Sequence, residues 1–389
     1  MRKKIPRNVL FLGLVSLFND VASEMIYPIL PIFLTTVLGA PVSIVGLIEG
    51  VAESTSSIMR FVFGYISDKV QKRKIFVTLG YLFSSVSKFV IAAASFWYVV
   101  LVGRFLDKLG KGVRTAARDS ILLENTTDQN RGFIFGFHRA LDSAGAIIGP
   151  LLTILLLYLL KNNLRMILFI AIFPPLIGVL LLIFFVKEAK KKVENTKSVK
   201  VDLSWSKFDP RFKLFLITSV IFSLGNSSDA FLILRAKQLG LTTILATLTY
   251  VLYNLFQTLL ATPAGVFADK IGPKKVFSIG LLIFSFVYLS FGLISSSFWI
   301  WFLFPVYGFY IAMTDGVSKA YVSEFTTQEM SGSYFGFYQT AIAVCAFLAS
   351  LVGGILWTKF GPQSTFYYGA AMAGIAFLTL ITSRYIKTK

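Results

Sequence analysis

Cysteine and histidine are nearly absent: the 389 residues hold one of each, Cys345 and His138. A lone cysteine excludes an intrachain disulfide and any cysteine-based metal site, and a lone histidine excludes a histidine cluster. No metal or other cofactor is expected. Charge is also scarce, at 15% of residues, against about a quarter in a soluble globular chain. Acids are the rarer sign, 19 against 38 bases, so the formal charge is +19. No nucleophile–base constellation stands out, which argues against an enzyme. Lys111-Gly112 has no strand–loop–helix context, so it is not a phosphate-cradling loop.

What the chain has instead is apolar length. Hydrophobic residues make up 56% and the mean hydropathy is +0.73. Apolar runs recur from Val9–Phe18 to Ala370–Thr382, and a helix crossing the bilayer needs about 20 mostly apolar residues. Met1-Arg2-Lys3-Lys4 imitates a signal peptide, but the apolar segment behind it is too long and has no small-residue cleavage site. Twelve spans are expected near 8–35, 43–66, 73–95, 97–123, 131–159, 165–187, 211–238, 242–268, 274–295, 298–325, 332–358 and 364–386. Turn signals separate them, among them Gly39-Ala40-Pro41, Asn162-Asn163, Gly272-Pro273 and Gly361-Pro362.

The positive charge is a topology signal. Nine bases and nine acids fall well inside the expected spans, four or more residues from either end, and cancel, so the whole excess lies in loops and span ends. Lysines and arginines number 24 in the loops on the side of both termini and 5 on the opposite side. Basic short loops stay cytoplasmic, so both termini are expected in the cytoplasm of a multi-pass inner-membrane protein. That placement accounts for the charge without a nucleic-acid partner; the expected surroundings are lipid.

The two halves repeat one another. Gly64-Tyr-Ile-Ser-Asp68-Lys69 returns 201 positions later as Gly265-Val-Phe-Ala-Asp269-Lys270. Glu124-Asn-Thr-Thr and Phe135-Gly-Phe-His138 return 200 positions later as Glu324-Phe-Thr-Thr and Phe335-Gly-Phe-Tyr338. A period of that length is a duplicated bundle rather than a solenoid, and duplicated bundles commonly hold substrate between their halves near mid-membrane.

At these residues the sequence resembles the major facilitator superfamily, and among its members the drug/proton antiporters. Gly64, Asp68, Lys69, Arg73 and Lys74 match the signature after the second span, with Gln71 where a second glycine is usual. Gly265, Asp269, Lys270 and Gly272 form a degenerate copy after the eighth. The resemblance implies an all-α membrane fold of two pseudo-symmetric six-helix bundles, 1–188 and 211–389, joined by a cytoplasmic linker at 189–210. It implies that the two signature segments gate the cytoplasmic side. Arg104, followed by Gly110 and Gly112, resembles the fourth-span motif linked to proton transfer, although its usual glutamine is missing. Gly145, Gly149 and Pro150 resemble the fifth-span motif of antiporters; the same spacing also lets two helices approach closely.

Buried charges mark candidate chemistry. An unpaired ionisable group at mid-bilayer costs about 2.5–3.5 kcal/mol on insertion scales, so these groups must pair or face water. Arg104, Asp107, Lys108, Lys111, Arg114 and Arg118 recur at spacings of three and four and form one stripe. Asp20 and Glu24 share a face, as do Glu49, Glu53 and Arg60. Depth counted at about 1.5 Å per residue puts Glu24 level with Lys108, and Asp20 level with Lys111. The resemblance implies that the first and fourth spans stand beside a central cavity, and with it the expected coupling network is Asp20, Glu24, Arg104, Asp107, Lys108, Lys111 and Asp142. Substrate-cavity candidates are Asn19, Tyr27, Glu49, Glu53, Arg139, Asn226, Asp229, Tyr253, Asn254, Gln257, Asp315 and Lys319; Asp315 and Lys319, four apart, also suit a private ion pair. The function expected is secondary active transport of a small organic solute, as proton-coupled efflux by a monomer. The alternatives are proton-coupled uptake of a nutrient, an anionic one if Lys108, Lys111 and Arg139 attract it, and a transporter-derived sensor or scaffold.

Overall fold

A chain with this much apolar length satisfies its backbone polar groups inside hydrocarbon by folding them into helices. The computed structural model describes residues 5–70, 72–126, 130–188, 208–326 and 331–382. Among them the elements are α1 (Arg7–Ile26), α2 (Leu30–Ile32), α3 (Val42–Val70), α4 (Arg73–Ala92), α5 (Trp97–Glu124), α6 (Arg131–Leu159), α7 (Leu164–Ile170) and α8 (Phe173–Phe185). They continue as α9 (Pro210–Gly225), α10 (Ala230–Gln238), α11 (Thr243–Ile271), α12 (Pro273–Leu293), α13 (Ile300–Ser323), α14 (Ser331–Phe360) and α15 (Pro362–Thr382). Most of the linker expected at 189–210 lies outside the described residues.

Eleven helical stretches among the described residues are long and apolar enough to cross a membrane. The expected fourth span is not one of them. Its helix, α5, has 28 residues and a length of about 42 Å, but it carries five bases and three acids.

Three expected spans are broken. In the first, α1 stops before Pro28, and a five-residue π-turn over Phe33–Val37 follows α2. In the sixth, α7 ends at Ile170 and α8 restarts ahead of Pro174 and Pro175, which lack backbone N–H groups. In the seventh, α9 ends at Gly225 and α10 begins at Ala230, with Asn226–Ser228 unwound. Asn and Ser side chains compete with the helix by bonding to nearby backbone, which favours such an interruption.

The contacts divide the chain into two compact units, one of 1–40 and 51–194, the other of 41–50 and 195–389. In the first, α4 packs along α5, and α1 lies against α6 and α8. In the second, α11 pairs with α13, and α12 with α13 and α15. The start of α3 belongs to the second unit through a close glycine contact. A methyl at Gly46 would collide with the Ser350 carbonyl oxygen, and the Ser43 amide donates to Thr358 Oγ1 at 3.0 Å.

Two arginines close equivalent helix ends. Arg165 Nη1 donates to the carbonyls of Ala92 (3.2 Å) and Ala94 (2.8 Å), beyond the last turn of α4. Arg235 donates through Nε to Phe291 O (3.1 Å) and through Nη2 to Ile294 O (2.8 Å), at the end of α12. Helix C-termini leave four carbonyls without intrahelical partners, and each guanidinium serves two carbonyls there.

At the start of α9, Asp209 caps the helix by accepting from the Arg211 amide at 2.7 Å. Its hydrogen bonds from the Arg211 side chain and backbone hold the Asp209 carboxyl below the usual carboxylate range. Because the folded value is the lower one, this stabilisation is present at neutral pH and fades as acid protonates the carboxylate. Asp209→Ala should therefore lower the thermal midpoint slightly at pH 7 and not at all at a pH below the folded value, as read by paired melts.

Candidate functional site

The stripe on α5 finds its partners on several helices. Lys88, a cation inside α4 with 1% of its side chain exposed, donates from Nζ to Asp107 Oδ1 at 2.5 Å and to Ser23 Oγ at 3.0 Å. Arg104 Nη1 stands 3.8 Å from Asp107 Oδ2, one turn away, and its guanidinium lies 5.9 Å from the ring centre of Tyr27. Arg114 donates to Ser84 Oγ at 2.7 Å and lies over the Tyr81 ring at 4.6 Å. Close backbone approach makes this possible: a methyl at Gly110 would collide with Gly80 O, and one at Gly80 would lie 2.6 Å from Gly110 O.

Lys108 pairs with Glu53 of α3, whereas depth alone matches it to Glu24. Depth fixes a level along the helix axis but not which neighbour a face turns toward, and the face bearing Lys108 turns to α3. Lys111 interacts electrostatically with both Glu53 and Asp20. Glu24 is half-buried on α1.

The fifth-span glycines have a definite physical role here. A methyl at Gly145 would lie 2.9 Å from Asp20 Cβ; one at Gly149 would lie 2.5 Å from Val21 O and 2.8 Å from Glu24 Cβ. The two glycines thus seat α6 directly on the backbone that carries both acids, and Thr153 Oγ1 locks the seam by donating to Met25 O at 2.9 Å. Pro150 sits inside α6, buried at the same seam. Asp142, one turn before Gly145, is brought close to Asp20; Lys111, Arg114 and Arg118 also act on Asp20. Asn19 is buried, and its amide donates to Asp20 Oδ1 at 3.5 Å. Around Asp142 stand Ser16 and His138, whose Nδ1 is 3.4 Å from Asp142 Oδ2. Arg118 is there too; it donates to Ser16 Oγ at 3.1 Å and pairs with Asp119 at 3.0 Å.

Lys88, Arg118, His138 and Ser16 belong to this site without being singled out by the sequence pattern. Lys88 is visible only as a charge in an apolar span, and Arg118 only as the last member of the α5 stripe. His138 and Ser16 give no periodic signal, because the glycine seam is what brings their helices together.

In the second unit the structure gathers Asp229, Tyr253, Asn226 and three further tyrosines. Asp229, beside the break between α9 and α10, accepts from Tyr307 Oη at 2.5 Å and from Tyr253 Oη at 2.8 Å. Asn226 donates to Tyr310 Oη at 3.1 Å, and Tyr288 donates to the unwound Ser227 carbonyl at 3.3 Å. Tyr253 meets Tyr307 edge to face, and Tyr310 meets Phe284 the same way, so the cluster clamps the broken span.

The remaining candidates are dispersed. Asn254 folds back on its own helix, donating to Tyr250 O at 3.0 Å. Gln257 is half-buried where α11 passes Gly308 of α13. Glu49 is buried, in the part of α3 that belongs to the second unit. Asp315 and Lys319 form an exposed pair with each other at 2.8 Å. Arg139 is exposed on α6.

The signature segments are helical rather than loops. Gly64–Val70 completes α3 and Gly265–Ile271 completes α11, with Gly272 at φ +95° making the turn where an L side chain is strained. Lys69, Asp269 and Lys270 are exposed, and Arg73 is buried in an ion pair with Glu124. The Asp68 side chain lies outside the described residues. No group of three or more potential metal ligands occurs among the described residues.

The family model of the Major Facilitator Superfamily matches residues 12–251 and 214–389. The chain belongs to the major facilitator superfamily. An uncharacterised MFS-type transporter of Methanocaldococcus jannaschii is 38% identical over 387 residues, covering 97% of this chain and 95% of the relative. The multidrug resistance protein MdtG of Salmonella schwarzengrund is 29% identical over 157 residues, 38% of this chain and 37% of that protein. The crystal structure of the nucleoside transporter NupG superposes with a TM-score of 0.80 at 14% identity, covering 98% of this chain and 100% of that one. A major facilitator chain with this fold is a multi-pass membrane transporter of the secondary class.

Proposed function

We propose that this transporter exports a small organic solute from the cytoplasm in exchange for protons, with Asp20 as the acid that takes up the coupling proton. The observation that carries the reading is the seam of α1 and α6. Gly145 and Gly149 seat α6 on α1 so that a second carboxylate, Asp142, comes within electrostatic reach of Asp20, as do Lys111, Arg114 and Arg118. A carboxylate between a like charge and cations changes its proton occupancy when either neighbour moves, which is what coupling to a conformational cycle requires. Glu24, Arg104, Asp107 and Lys108 complete the network, and Lys88 joins it. The fifth-span resemblance and the partial likeness to MdtG favour export. In this reading α5 is also a span, the fourth in order, which brings the eleven to twelve; its charged face is kept from lipid by α3, α4 and α1, and both termini are cytoplasmic.

The test uses everted membrane vesicles with an acid interior and a panel of labelled lipophilic drugs and nucleosides. Wild-type protein should accumulate at least one compound, and collapsing the pH gradient should abolish the uptake. Asp20→Asn should reduce gradient-driven accumulation by more than tenfold while counterflow without a gradient persists. Unchanged gradient-driven transport in Asp20→Asn and Glu24→Gln would overturn the coupling, and accumulation only in right-side-out vesicles would reverse the direction.

A further inference from the structure

His138 is the one histidine of the chain, and it is buried on α6 one turn before Asp142. Its Nδ1 lies 3.4 Å from Asp142 Oδ2, while its buried Nε2 has no hydrogen-bond partner among the described residues. Asp142 Oδ1 is likewise buried without one. The imidazole and the Ser16 hydroxyl are therefore the donors on which the Asp142 carboxylate rests, with the Arg118 charge close by. Asp20, across the glycine seam, has one side-chain donor among the described residues, the Asn19 amide at 3.5 Å, against two for Asp142; the imidazole and amide contacts are both long, so the two carboxylates differ in the number of donors and not in their length.

Two adjacent carboxylates resist ionising together, and the one with more donors keeps the charge. We propose that His138 is a positioning residue: it holds Asp142 ionised, so that Asp20 is the carboxyl of the pair that binds the proton. This rests on the reading of Asp20 as the coupling acid. In the step itself, a proton from water adds to a carboxylate oxygen of Asp20. Asp142 remains an anion, and the imidazole keeps its Nδ1 proton turned toward it. The charged and polar groups facing the two carboxylates are Ser16 and Asn19 from α1, and Lys111, Arg114 and Arg118 from α5, the last paired with Asp119. Arg139 on α6 is exposed, and Arg165 of α7 is engaged on the carbonyls of Ala92 and Ala94.

A single histidine makes the test clean and independent of substrate. The full chain, carried on a histidine-free tag and placed in lipid nanodiscs, is labelled with nitrogen-15 histidine. Its imidazole signals are followed by NMR against pH, and the protonated-carboxyl infrared band that Asp20→Asn removes is titrated in parallel. The imidazole should keep a proton on Nδ1 across the whole range in which that band appears. His138→Leu should move the midpoint of the first carboxyl protonation alkaline by about one pH unit, because an Asp142 without this donor takes the proton more readily. His138→Gln, which still offers an N–H, should stay near wild type. Asp142→Asn, which removes the like charge, should move the midpoint acid by about one unit. A structural role alone would change stability without opposite midpoint shifts. A proton carried on Nε2 in place of Nδ1, or a midpoint unmoved in both His138→Leu and Asp142→Asn, would overturn the proposal. If His138→Leu does not fold, the wild-type tautomer and the Asp142→Asn shift decide alone. Vesicle transport separates the two claims: correct titration without proton-driven transport would defeat the coupling reading and leave the positioning role standing.

Discussion

Asp107→Ala is expected to destabilise the protein by about 3–5 kcal/mol, because it strands Lys88 in the interior of the first unit. Lys88 Nζ has two hydrogen-bond partners, Asp107 and Ser23; a serine hydroxyl satisfies one donor but neutralises no charge. The converse change, Lys88→Ala, should cost less, since Arg104 stands 3.8 Å from the orphaned carboxylate and can take up part of its charge. The double change Lys88→Met/Asp107→Leu fills similar volume without any charge, and a buried ion pair replaced this way is often neutral or stabilising. It should therefore recover most of the loss. The measurement is the thermal unfolding midpoint of detergent-solubilised protein across wild type, the two single variants and the double variant. An Asp107→Ala variant as stable as wild type would show that the pair is not buried as described. Paired vesicle assays would then tell whether the recovered double variant still transports, which separates packing from coupling.

The second large effect is expected at the glycine seam. Any side chain at Gly149 meets backbone, not a flexible tip: Val21 O at 2.5 Å, Glu24 Cβ at 2.8 Å and Met25 N at 3.0 Å. Gly149→Val must separate α1 from α6, and overpacking of a tight contact costs about 1–3 kcal/mol or more. The separation would also break the bond from Thr153 to Met25 O and move Asp142 away from Asp20. Gly136 on the same helix has nothing within 4 Å of where a Cβ would stand, and it serves as the control. Gly136→Val should be nearly silent in both unfolding midpoint and transport, and Gly149→Val should lose both. Equal behaviour of the two variants would mean that the seam is not close-packed.

Much of this is legible in the sequence. Long apolar runs with glycine, proline and asparagine between them place the helices because hydrocarbon leaves the backbone few other options. The stripe from Arg104 to Arg118 announces a buried polar face, and the glycines at 145 and 149 announce a close approach. What periodicity does not encode is rotation about the helix axis relative to a neighbour. That is why Lys108 matches Glu24 in depth but pairs with Glu53, and why Lys88 gives no sign of its partner. The break in the seventh span is hidden for a different reason. Apolar residues on both sides keep the hydropathy high through Asn226–Ser228, although the four polar residues in a row, Asn226 to Asp229, are the composition that interrupts a helix. The clamp of tyrosines on Asp229 depends on side chains 24 and 78 positions away, which only the packing brings together.

The arginines at 165 and 235 say something about how the two halves diverged. They serve carbonyls at matching places: Ala94 and Ile294 are 200 positions apart, the offset of the duplication. The arginines themselves do not match, for the position equivalent to Arg165 is Thr365 and the one equivalent to Arg235 is Thr35. The same helix end is served in each half, and a different stretch of chain supplies the guanidinium: α7 in the first and α10 in the second.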